Sequence, residues 1–260
     1  MKNLYVNGCS FTHGHKDYII ENGISKPGHY TWPAQIQKHS KCNLVNEAYS
    51  GGSNSRIVRR TIEYMSKVKD PENWVVVIQF TSLERDEYFD NNKQIWIGNV
   101  VDAGCFDDRS GFYNPISANI KQDTIFKNFV RNQIFSKSHV LDVYKLAQQT
   151  LFLQMFLDKL GFKKVLFTGQ SKRCLINYYM EDKLNPGHDI DLRPKISDSK
   201  EFEAIKLIYN NIDSSNFITP LSHVTRGLEE SLEDGHPNNE GHRVFSRYII
   251  EQLVLRNWYE

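Results

Sequence analysis

From Trp74 to Phe80 the chain is apolar at every position except Gln79. A strand without polar alternation has to be covered on both faces, the pattern of a parallel sheet held between two helical layers. Leu4-Tyr5-Val6, Asn43-Leu44-Val45-Asn46, Lys164-Val165-Leu166-Phe167-Thr168 and Asn216-Phe217-Ile218-Thr219 read as four further strands. Between them the apolar spacing becomes helical. Thr31-Trp32-Pro33 can cap and start a helix running towards His39. A helix over 55–67 brings Ile57, Ile62 and Met65 to one side with Val58 close by, and further helices are predicted over 140–160, 202–212 and 241–258. Strands alternating with helices argue for βαβ crossovers. The predicted fold class is α/β: a three-layer α/β/α sandwich around a central, mostly parallel five-stranded sheet.

Two stretches break this rhythm. Residues 82–138, after the third strand, are too long for a plain connection and rich in aromatics, among them Tyr88, Phe89, Trp96, Phe112 and Tyr113. Residues 170–199 form the second, with Tyr178, Tyr179 and Pro186-Gly187. Both leave from the C-terminal ends of predicted strands, the edge where open α/β sheets hold ligands. They read either as a cap over a site or as a small subdomain burying its own rings. At 260 residues the chain suits one domain, 1–260, carrying both insertions.

Composition narrows the function classes. With 32 basic and 31 acidic residues the net charge is +1, so nothing steers the whole molecule towards nucleic acid or an anionic membrane. Arg56, Arg59 and Arg60 read as one solvated helix face. No apolar run reaches the roughly twenty residues that span a bilayer. Met1-Lys2-Asn3 passes straight into the first strand without a secretory leader. Cys9, Cys42, Cys105 and Cys174 lack a metal-type spacing and fit a reducing compartment, so a cytoplasmic location is expected.

Two segments at opposite ends carry the candidate chemistry. Asn7-Gly8-Cys9-Ser10-Phe11-Thr12 places a serine in the turn just past the first strand, between Gly8 and Gly14. Glu233-Asp234-Gly235-His236-Pro237-Asn238 offers an acid two residues from a histidine, ahead of the last helix. A serine alcohol becomes a useful nucleophile when a base takes its proton, and an imidazole oriented by a carboxylate is such a base. The loop Asn46-Glu47-Ala48-Tyr49-Ser50-Gly51-Gly52-Ser53-Asn54 enters a helix through glycines. Exposed N–H groups there could hold the negative oxygen of a tetrahedral intermediate, each donor contributing on the order of 3 kcal/mol. Ser53 is read as the helix cap. His13-Gly14-His15 reads as surface loop rather than a metal site, His242 as incidental to its helix, and no phosphate-binding loop is present. No metal or cofactor is expected.

Together these pieces resemble the SGNH hydrolases, the superfamily of the GDSL esterases and lipases. The first block is similar to a branch reading Gly-Cys-Ser-Phe-Thr-x-Gly, matched by Gly8 to Gly14. The resemblance implies a flavodoxin-like α/β/α fold, with Ser10 as nucleophile, His236 as base and an acid as its partner. It also implies an oxyanion hole from the Ser10 N–H, Gly51 and a third-block asparagine. Asp234 is favoured as the acid because Asp-x-His-Pro spacing looks typical of this branch, with Glu233 as substitute. Cys9 stands where the family usually has aspartate. After the strongest strand the chain has Gln79-Phe80-Thr81-Ser82 and no asparagine, so Thr81, Ser82 or Asn54 has to supply the third donor. Arg85 is a candidate for binding an anionic substrate group, or else pairs with Glu84, Asp86 or a sheet-edge carbonyl.

The expected activity is hydrolysis of an ester through a Ser-His-Asp triad and an acyl-enzyme. The expected substrate is a small-molecule or carbohydrate ester such as an O-acetylated sugar, and neither nucleic acid nor membrane is an expected partner. An O-acyltransferase on the same machinery and a non-catalytic carbohydrate-binding or scaffold protein are the alternative readings.

Overall fold

The computed structural model describes residues 1–14, 19–21, 24–26, 29–83, 85–90, 95–100, 138–180, 197, 199–225 and 236–259. Four strands, β1 (Asn3–Asn7), β4 (Asn43–Asn46), β5 (Trp74–Phe80) and β8 (Val165–Gly169), form one sheet in the order β4-β1-β5-β8. Every pairing in it is parallel. β2 (Ile19–Glu21) with β3 (Ile24–Lys26), and β6 (Arg85–Asp90) with β7 (Ile95–Val100), make two separate antiparallel hairpins.

Alternate strand residues point to opposite faces, and here both faces are buried. On one side Tyr5, Val76, Ile78, Phe80, Val165 and Phe167 pack against α3 (Asn54–Met65), α4 (His139–Lys159) and α6 (Phe202–Tyr209). On the other, Leu4, Val6, Val75, Val77 and Leu166 meet α2 (Trp32–Ser40) and α8 (Asn239–Leu255). All seven residues of β5 are buried, as its unbroken apolar run requires. The architecture is therefore a mixed α/β sandwich with a parallel central sheet. Three short helices complete it: α1 (Ser10–His13), α5 (Asn177–Met180) and α7 (Leu221–Val224).

The fifth strand is reduced to one parallel bridge between Phe167 and Phe217, closed by Ile218 N–H donating to the Phe167 carbonyl at 2.9 Å. Two features stop the ladder. The Thr219 N–H is taken by the Tyr248 hydroxyl at 2.9 Å, and Pro220 has no N–H to give. Both expected insertions lie largely outside the described residues. Within the first, the β6–β7 hairpin is tied to the helical layer by acids. Glu87 accepts a two-pronged bond from Arg59 at 3.0 and 3.1 Å, and Asp86 accepts from Lys145 at 2.8 Å and from Ser55 at 3.3 Å. Arg60 binds Glu47 and Glu63, while Arg56 lies over the Tyr49 ring. The arginine cluster of α3 is thus paired with carboxylates and an aromatic face rather than simply solvated. Among the described residues no helix is long and apolar enough to cross a membrane.

α2 and α8 meet at a buried histidine. The Trp32 N–H, at the start of α2, donates to His242 Nδ1 at 3.3 Å, and the Trp32 ring stands edge-on to Phe245. Burial, aided by the neighbouring charge of His236, lowers the His242 imidazole from 6.5 to about 4. The unfolded chain therefore binds the extra proton first as pH falls. The stability held by a neutral His242 is complete above about 6.5 and is lost progressively towards about 4. The shift corresponds to about 3 kcal/mol over that window. We predict that His242→Gln, which keeps an acceptor for Trp32, flattens the fall of stability with acid; urea midpoints at a series of pH values measure it.

Candidate active site

The chain leaves β1 under tight control. The Asn7 side chain is fully buried; its Oδ1 accepts the Gly8 N–H at 2.9 Å, and its Nδ2 faces the Tyr5 hydroxyl, the Ile57 carbonyl and Thr61 Oγ1 at 3.0–3.2 Å. Burial pushes the Tyr5 phenol well above its ordinary value, so it remains a neutral donor to Thr61. Gly8 comes next, where a Cβ would lie 2.3 Å from Thr12 Oγ1. Only glycine lets the strand turn there into α1. That threonine hydroxyl donates to Gln79 on β5 at 2.6 Å, anchoring the turn to the neighbouring strand.

Ser10 is the first residue of α1 and is 4% exposed. Its Oγ lies 2.8 Å from His236 Nε2, across 226 residues of sequence. The Phe11 ring lies against the imidazole, with centroids 4.7 Å apart and planes tilted by 32°. His236 lies just ahead of α8, whose start is capped by Asn238 Oδ1 accepting the Gly241 N–H at 2.9 Å. An imidazole protonated on Nδ1 presents an acceptor lone pair at Nε2. At this distance it can take the serine proton as the oxygen attacks. Asp234 and Glu233, the two expected acid partners, lie outside the described residues.

The loop after β4 wraps the same rim. The Glu47 N–H donates to the Val6 carbonyl and the Tyr49 N–H to the Gly8 carbonyl, so it follows the β1 turn closely. Gly51 has φ 77°, in the left-handed region that favours glycine. Among the described residues neither the Ser10 nor the Gly51 N–H meets an acceptor, whereas the Gly52 N–H donates to the Tyr49 carbonyl. Ser53 caps α3, its hydroxyl accepting the Arg56 N–H at 3.1 Å.

The remaining oxyanion candidates are engaged with one another. Asn54 is buried and pairs with the Thr81 backbone through both amide atoms: Oδ1 accepts the Thr81 N–H at 2.8 Å, and Nδ2 donates to the Thr81 carbonyl at 3.1 Å. The Thr81 hydroxyl donates to Gln170 Oε1 at 3.2 Å. The Ser82 carbonyl accepts the Arg85 N–H at 3.3 Å. Arg85 opens β6 half-buried, with Nε and Nη1 buried and without a partner among the described residues. Among the described residues neither Asp86 nor a sheet-edge carbonyl holds its guanidinium, and Glu84 lies outside them.

Two further residues depart from the sequence reading. His13 is buried, its Nδ1 3.5 Å from Ser50 Oγ, because α1 turns it inward rather than into a surface loop; His15 lies outside the described residues. Gln170, just past β8, reaches across the end of β5 to accept from the Cys9 thiol at 3.3 Å. Nothing local in Gly169-Gln170-Ser171 signals this contact, which joins residues 161 positions apart.

The α/β fold is shared with a solved esterase. An acetyl xylan esterase from the rumen bacterium Butyrivibrio proteoclasticus superposes with a TM-score of 0.51 at 10% identity over 100% of this chain. The chain spans 65% of that enzyme's length. A family two carbohydrate esterase from Clostridium thermocellum superposes with a TM-score of 0.48 at 11% identity, covering 100% of this chain and 65% of that one. A member of the lipolytic G-D-S-L family from Veillonella parvula gives 0.42 at 11% identity, covering 96% and 97%. At 10% identity the likeness to the acetyl xylan esterase is one of fold. No curated protein matches the chain in sequence. A family profile does, over residues 23–258. By that match, which takes in most of its length, the chain belongs to the family of unknown function DUF6071.

Proposed function

We propose that this protein is a serine hydrolase that cleaves an ester by way of an acyl-enzyme. The observation that carries the reading is the 2.8 Å contact between Ser10 Oγ and His236 Nε2. Ser10 Oγ attacks the acyl carbonyl while its proton passes to His236 Nε2. The intermediate collapses, the ester C–O bond breaks, and the alcohol departs with that proton. Water then attacks the acyl-enzyme, gives a proton to His236, and the second collapse returns a proton to Ser10 and releases the acid. Asp234, or Glu233 in its place, orients the imidazole in this scheme. The Ser10 and Gly51 N–H groups, which meet no acceptor among the described residues, receive the developing oxyanion.

The substrate in this proposal is a polar O-acyl compound such as an O-acetylated carbohydrate. Arg85 supports a carboxylate or other anion on it, because its buried guanidinium N–H groups meet no partner among the described residues, and such groups are costly unless a ligand meets them. The adjacent acids Asp86 and Glu87 are already bound to Lys145 and Arg59, so they leave that charge for an incoming group.

A fluorophosphonate probe should modify Ser10 in the native protein and fail to do so after His236→Ala. Ser10→Ala and His236→Ala should each lower kcat on p-nitrophenyl acetate by about a thousandfold or more, with the double variant little worse than either. Protein that resists the probe and turns over no ester overturns the reading. For Arg85→Met we predict a rise in KM that is about tenfold greater for a carboxylate-bearing ester than for its neutral counterpart. Equal KM changes for the two esters remove Arg85 from the binding site.

A further inference from the structure

The third-block asparagine that would complete an oxyanion hole is absent, and two of the residues expected to replace it, Thr81 and Asn54, are bonded to their neighbours. The Thr81 N–H is held by Asn54, the Thr81 hydroxyl by Gln170, and the Asn54 amide by the Thr81 backbone on both of its polar atoms. Among the described residues at this rim, Asn54 keeps one Nδ2 proton, and Gln79 and Gln170 keep both of theirs; Asn54 and Gln79 are buried, whereas Gln170 is half-buried. Gln170 accepts through Oε1 from two directions, the Cys9 thiol at 3.3 Å and the Thr81 hydroxyl at 3.2 Å. A thiol and a hydroxyl converging on one amide atom identify it as the oxygen, since sulfur is a poor acceptor for an N–H. The nitrogen is thereby turned the other way, and Nε2 has no acceptor among the described residues.

The placement is rigid. The Gln170 N–H donates to the Phe80 carbonyl at 3.1 Å and its carbonyl accepts the Ser222 N–H at 3.1 Å. The turn begins at Gly169, where a Cβ would come 2.7 Å from the Ser171 carbonyl. The side chain crosses the end of β5 and touches Cys9, the residue that precedes Ser10. We infer that Gln170 is the third oxyanion donor of this site, giving an N–H from Nε2 to the negative oxygen, with Cys9 and Thr81 as positioning residues that fix its amide.

This assignment rests on the hydrolase reading above. In it the amide enters from β8 rather than from the end of β5. The donated bond forms as the carbonyl oxygen gains charge, so it lowers the barrier more than it strengthens ground-state binding.

The test uses Gln170→Glu and Gln170→Ala in the full chain with p-nitrophenyl acetate as probe. Glutamate keeps an oxygen for Cys9 and Thr81 but has no N–H, so it preserves a bracing role and removes the donor. Both variants should lower kcat about a hundredfold with KM little changed, and both should slow phosphonate labelling of Ser10 in parallel. Should Gln170→Glu act at the wild-type rate while Gln170→Ala fails, the residue only braces the loop and the assignment is overturned. Wild-type rates in both overturn it equally. A wild-type protein that hydrolyses no ester instead defeats the hydrolase reading, and this assignment with it.

Discussion

Because the four strands of the sheet run parallel, each hands its chain over the same edge, and whatever follows a strand collects there. β5 imposes this arrangement. Its residues are buried on both faces, so it has to lie inside a sheet with helices above and below. Ser10 after β1, Gly51 and Asn54 after β4, Thr81 after β5 and Gln170 after β8 thereby come to one rim, where Cys9 and Gln170 touch from 161 positions apart. The last helix adds His236 from the far end of the chain. No local segment could assemble that set; the sheet does it through register.

Parallel pairing brings the loops together, and buried side-chain amides set their spacing. Asn7 ties the β1 turn to α3, Gln79 receives Thr12, and Asn54 pairs with the Thr81 backbone as a neighbouring strand would. Each such bond contributes about 1 kcal/mol net, while an orphaned buried partner costs about 1–3 kcal/mol. Their main effect is thus to exclude alternative loop positions. A site that stabilises charge benefits from this, since donors already aimed need no reorganisation when the charge appears.

Much of the layering was legible because it follows from side-chain period alone. Trp74–Phe80 announces a doubly buried strand, and 140–160 and 241–258 fall close to α4 and α8. The 216–219 segment has strand composition, yet the Thr219 N–H goes to Tyr248, a contact invisible in an apolar pattern, and Pro220 has no N–H to extend the ladder. The β6–β7 hairpin escaped because long-range pairs of Asp86 and Glu87 with Lys145 and Arg59 fix it to the helices. At the site, Ser10 and His236 stood out because a strand-end serine and an acid-x-histidine element have chemistry of their own. Gln170 had none. Its position depends on Cys9 and Thr81, and an amide partner of that kind has no spacing to betray it.

The buried His242 bears on what His236 can do. In the proposed cycle His236 becomes an imidazolium for the lifetime of each tetrahedral intermediate, and a second positive charge close by would oppose that step. Burial keeps His242 neutral down to about pH 4, and the Trp32 N–H fixes Nδ1 as its acceptor. The same repulsion that a charged His242 would exert on His236 acts in reverse, helping to hold His242 uncharged. The packing of α2 on α8 therefore serves two ends with one residue. It closes the core on that side of the sheet, and it leaves His236 free of a competing imidazolium beneath it.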